Sequence, residues 1–198
     1  MSSQNSGGVP IFTIQQGGDS RIISVTDGRD DSHSSSADTF VKIVYESKEI
    51  TSSEVKGYEK YSIITTVISE IWRKESGDVS NKATNSSAHL GMREVEFCMP
   101  YSEVSNTVMK SVAQGKKANI SFVRTANIAG HNVPVLEIAY TDGQFVNLLN
   151  ILQNGNIGSD TFRFKARNVE FKRTNYDKDG KKLGNVVSSI NFVDNSSK

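Results

Sequence analysis

The stretch MREVEFCMPYSEVSNTVMKSVAQGKKANISFVR, residues 92–124, decides how this chain is read. Its first part, Arg93-Glu94-Val95-Glu96-Phe97-Cys98-Met99-Pro100, alternates charged and apolar side chains. That is the period of a half-buried strand, and Pro100 ends it. Ser102 stands where a hydroxyl can accept an otherwise orphan backbone N–H, and Val104, Val108 and Val112 then fall on one helical face. Lys110 is expected in the last turn, where the helix dipole favours a cation, and Gly115 can take the left-handed stop conformation. Ala118-Asn119-Ile120-Ser121-Phe122-Val123-Arg124 resumes the alternation, with Ile120 and Phe122 on one face. One short helix between strands is the predicted arrangement.

Outward from this block the pattern stays β. Tyr58 to Trp72 reads as one long strand, with Ile64, Ile68 and Trp72 on one parity and Tyr61, Ile63, Val67 and Ile71 on the other. Apolar groups on both faces call for cover on both, by the domain core and by a neighbouring subunit or a helix or loop of the same chain. Phe145 to Leu152 has the same character and reads as a strand or a short helix. In Phe162 to Phe171, Phe162, Phe164 and Ala166 share one parity while Val169 and Phe171 share the other. A bulge or bend near Arg167-Asn168 is therefore predicted.

The 198 residues suffice for one domain with a real core, with or without a tail, and the net charge of +1 argues for neither nucleic acid nor membrane. There is no transmembrane run, and no basic segment leads into an apolar core as in a secretory signal. Cys98 stands alone, so no internal disulfide framework exists, and it reads as a small residue in or beside a strand rather than a reactive thiol. His33, His89 and His131 are far apart and lack zinc-site spacing. No phosphate-binding glycine loop, paired-cysteine motif or Gly-x-Ser-x-Gly elbow is present, so neither catalytic residues nor a cofactor is assigned.

Residues 163–182 hold eight basic and three acidic side chains. Aromatic residues alternate with the basic ones there, which describes a solvated strand face better than a nucleic-acid groove. Asn175-Tyr176-Asp177-Lys178-Asp179-Gly180 mimics the start of a calcium loop, but its twelfth position is Val186 and no flanking helices are evident. Asp179-Gly180 reads instead as a hairpin turn.

Residues 1–38 are rich in Ser, Gly and Asp and carry a net charge of −3, against +4 for the remainder. Two apolar runs, Val9 to Ile14 and Arg21 to Val25, flank Gly17-Gly18 and suit a hairpin, whereas 26–38 reads as disordered. The organisation expected is an N-terminal extension over 1–38 and a β domain over 39–198.

In order and spacing, the central block resembles the haemolysin-coregulated protein (Hcp) family, the tube proteins of bacterial type VI secretion systems, related to phage tail-tube proteins. Phe40 to Tyr45 and Tyr58 to Trp72 are similar to that family's opening strands. Val135 to Tyr140 and Phe162 to Phe171 look like its later strands, and Tyr176 to Gly180 like its closing turn. The resemblance covers about residues 39–193; the extension before Phe40 departs from it.

The resemblance implies a mainly β fold, an antiparallel β-barrel with one short α-helix packed on it. It implies closure into a homomeric, hexameric ring whose stacks form an expelled tube able to carry effector proteins in its lumen. Spike, sheath and baseplate proteins are the implied partners, with no nucleic acid and no membrane span. Assembly would occur in the bacterial cytoplasm, followed by secretion without a cleavable signal peptide. The segment between Arg73 and Gly91 looks like the family's extended loop, which makes Asp78, Ser80, Asn81, Lys82, Asn85 and Ser86 candidates for ring stacking. Tyr61, Ile63, Val67 and Ile71 are the candidate subunit-contact face. Two other readings stay open: a tail-tube subunit of a phage or related contractile particle, and a monomeric β-sandwich binding module.

Overall fold

The computed structural model describes residues 11–16, 19–24, 38–74, 89–151, 158–193 and 196–197. The chain divides into two units, 1–35 and 36–198. In the first, β1 (Ile11–Gln16) and β2 (Asp19–Ser24) form an antiparallel hairpin with Gln16 opposite Asp19. Of the segment 26–38, expected to be disordered, all but Asp38 lies outside the described residues.

The second unit opens with β3 (Thr39–Tyr45), β4 (Lys48–Glu49), β5 (Ser62–Ile63), β6 (Thr66–Ile68), β7 (Ile71–Lys74), β8 (His89–Met92) and β9 (Val95–Pro100). A single helix, α1 (Glu103–Gln114), follows. It leads into β10 (Ala118–Ile128), β11 (His131–Ile151), β12 (Ser159–Lys165), β13 (Asn168–Tyr176), β14 (Lys182–Asn191) and β15 (Ser196–Ser197). Every pairing among these strands is antiparallel.

The pairings run in a closed circuit. β3 pairs with β10, β10 with β11, β11 with β12, β12 with β9, and β9 with β6. The chain just before β6 returns to β3, where Ile63 stands opposite Phe40. Closing a sheet on itself satisfies backbone groups that would otherwise form exposed edges. β13 and β14 extend outward from the first half of β11.

Alternation fills the barrel. Val95, Phe97 and Met99 of β9, Ile120 and Phe122 of β10, and Phe162 and Phe164 of β12 are all buried in one cluster. Phe97 stacks on Phe162 with ring centroids 5.0 Å apart and meets Phe122 edge-on at 5.3 Å. Such contacts add to the burial of large rings. Val104 and Val108 point into the same cluster and Val112 packs against it, as their spacing predicts.

β11 bends, so its two halves meet different strands along one edge. Leu136 to Thr141 pair with β13, whereas Gln144 to Ile151 pair with β12. The corner lies at Asp142, which has a positive φ of 53°, and Gly143. A Cβ on Gly143 would collide with the Phe164 ring and the Lys165 carbonyl, so the corner needs a residue without one.

Three local expectations are corrected by the structure. Ser102 occupies the N-cap position with extended backbone, but its side chain makes no capping bond; its carbonyl accepts from Ser105 N–H at 3.1 Å. Lys110 lies short of the last turn, which holds no basic residue, because the helix runs on to Gln114. Gly115 does take the left-handed stop, with φ 62°. Tyr58 to Trp72 is three short strands rather than one long strand. The phase change after Ala166 is a full corner between β12 and β13, and Phe145 to Ile151 is strand.

Candidate assembly surfaces

The break within 58–72 decides which side chains are free. Ile64 donates its N–H to the Thr39 carbonyl and is buried, while Thr65 donates to Cys98. This switch of partner reverses the parity that a continuous strand would keep. Val67 and Ile71 consequently pack against the core, and Tyr61 turns edge-on to Tyr58 with centroids 5.6 Å apart. Tyr58 in turn stacks on Phe40 at 4.5 Å, so the 51–61 segment covers part of the sheet's outer face. Burial pushes the Tyr61 hydroxyl pKa upward, with the Glu137 carboxylate adding to the effect. Of the predicted contact face, Ile63 is the residue left exposed, at 48 %. The stacking candidates Asp78, Ser80, Asn81, Lys82, Asn85 and Ser86 lie outside the described residues.

A second surface, β14, is not signalled by any motif. Leu183 is 67 % exposed and Val187 48 % exposed on one parity, and Val186 is 62 % exposed on the other. β13 pairs along one side of β14, but β15 covers the other side only at Ile190 and Asn191. Among the described residues, Leu183 to Ser189 therefore combine apolar side chains on both faces with an edge that no strand pairs. Strands of this kind are templates for pairing with another chain. In the sequence, β14 is marked by apolar residues of both parities from Leu183 to Ile190, the pattern that 58–72 also carries.

Three of the basic residues nearby are paired with carboxylates. Lys172 Nζ pairs with Glu137 at 2.8 Å, which raises the lysine pKa through that hydrogen bond. Arg163 pairs with Glu96 at 2.8 Å, and Arg167 reaches Asp142 at 3.5 Å. Asp177 organises the β13–β14 turn: its carboxylate accepts from the N–H groups of Asp179 and Lys181 at 3.0 and 2.8 Å, as in an Asx turn. Among the described residues, no group of three His, Cys, Asp or Glu side chains could hold a metal ion, and no helix is long and apolar enough to cross a membrane.

No protein-family model and no curated protein sequence matches the chain significantly. Its structure does have neighbours. A type six secretion system protein superposes with a TM-score of 0.70 at 14 % identity, covering 82 % of this chain and 99 % of the other. Hcp1 from Salmonella typhimurium gives 0.62 at 14 % identity, covering 81 % and 98 %. Hcp3, a secreted protein from Pseudomonas aeruginosa, gives 0.56 at 9 % identity, covering 79 % and 98 %. Across more than three quarters of its length, the chain has the fold of the Hcp proteins of type VI secretion systems.

Proposed function

We propose that this protein is a structural subunit of the inner tube of a type VI secretion system, assembling as stacked hexameric rings. The observation that carries this reading is β14, a strand with apolar side chains on both faces and an outer edge that the described strands leave mostly unpaired, on a barrel of Hcp fold. A ring needs a head-to-tail contact between two different patches. β14 supplies one, and the exposed Ile63, paired to β3 on the opposite side of the sheet, supplies a candidate for the other. Tyr61, Val67 and Ile71 support that second patch from beneath or beside it, and the 78–86 loop residues serve ring stacking.

The role is mechanical rather than enzymatic. Rings built in the bacterial cytoplasm stack into a tube that a contracting sheath expels, with a spike at the tip, a baseplate beneath and effector proteins in the lumen. Export by the machine itself replaces a cleavable signal peptide. In its native cell the protein is expected in the culture medium when the sheath is intact and absent from it when the sheath gene is deleted. Equal amounts outside both cells, with a cytoplasmic marker retained, would overturn the reading.

A further inference from the structure

We propose that the groove between α1 and the second half of β11 receives a single arginine side chain from a partner protein. The groove has a volume of about 280 Å³ and is lined by Tyr101, Ser105, Asn106, Met109, Leu148 and Asn150. That falls just below the usual size of a small-molecule site, roughly 300–1,000 Å³, and suits one long side chain. Tyr101 and Met109 are 49 % and 57 % exposed and form its upper walls.

The polarity of its floor selects the occupant. Asp160, 1 % exposed, lies beneath Ser105 and Asn150. One carboxylate oxygen accepts from the Ser105 hydroxyl and the other from Asn150 Nδ2 at 2.5 Å. A carboxylate can only accept, so both neighbours are turned to donate downward. What remains to accept above them is the lone pairs of the Ser105 hydroxyl and the Asn150 amide oxygen. Acceptors over a buried anion fit a group that only donates and carries positive charge, and no described lysine or arginine pairs with Asp160.

Two further features bear on the charge. The N-terminus of α1 is worth about half a positive charge, which opposes a cation. The buried Asp160 carboxylate, bonded to Ser105 and Asn150 of the groove lining, opposes it from beneath. Guanidinium is favoured over ammonium because it is planar, weakly hydrated and stacks on an aromatic face, which Tyr101 offers. This inference does not depend on whether the chain builds a tube.

The test uses the full chain labelled at its methionine methyl groups, of which Met109 reports on the groove. N-acetyl-arginine amide is titrated against N-acetyl-citrulline amide, its uncharged isostere. Saturable movement of the Met109 methyl signal is expected with the arginine probe, at an apparent affinity about tenfold above that for citrulline. Asp160→Asn should abolish that preference, and Tyr101→Ala, an exposed change that spares the core, should weaken arginine binding while leaving the melting temperature unchanged. No movement, or equal movement with both probes, would overturn the proposal.

Discussion

Thr65 is tied twice to the carbonyl oxygen of Cys98, by its N–H at 3.0 Å and by its hydroxyl at 3.2 Å. The preceding residue, Ile64, bonds instead to Thr39. Two adjacent residues thus join β3 to β9 and complete the barrel circuit. Thr65→Val removes only the hydroxyl bond and should cost about 0.5–1.5 kcal/mol. Thr65→Pro removes both bonds and should cost clearly more in urea unfolding. An unchanged midpoint for the proline variant would contradict the closure.

Trp72 stands opposite Gly91 in the β7–β8 pair, and its indole occupies the space where a Gly91 Cβ would lie. Gly91→Ala should push the ring outward. Trp72 is the single tryptophan of the chain, so its emission should shift to the red with less than about 1 kcal/mol of destabilisation, because the ring is free to move. An unshifted spectrum would contradict the packing.

Asp142 holds the β11 corner with its carboxylate 2.5 Å from Lys117 and 3.5 Å from Arg167. The Lys117 hydrogen bond lowers its pKa below the ordinary 3.8. A lowered folded value means that ionised Asp142 contributes stability above pH 3.8, and that this is lost as pH falls through the folded value. Asn tolerates the positive φ at this position. The stability difference between the native chain and Asp142→Asn should therefore be greatest at neutral pH and close in acid. A difference that grows below pH 3.8 would contradict the assignment.

Deleting Asp78 to Ser87 should leave the thermal midpoint and the mass of single rings unchanged while shortening stacks in negative-stain images. Tubes of normal length would count against the stacking role of that loop.

Local period made much of this fold legible. The block from Val95 to Phe122 follows the alternation and the four-residue spacing of its apolar side chains, because each element there buries one face in one core. The break at Ile64-Thr65 was hidden because it depends on which distant strand each residue meets. The 21-residue β11 was hidden for the same reason: its two halves pair with different strands, and the dipeptide Asp142-Gly143 alone marks the corner. The proposed assembly surface was half legible. Two-faced apolar patterning pointed to 58–72, where folding buries or partly covers most of it, while the same pattern in β14 was left outside the barrel and exposed.

The central claim is tested most directly by the molar mass of the purified chain from light scattering on a sizing column, with negative-stain images of the same peak. The account predicts ring-shaped particles of about six subunits, reduced to folded monomers by Val186→Asp with Val187→Asp. A native chain that stays monomeric at every concentration would contradict it and leave a monomeric binding module as the better reading.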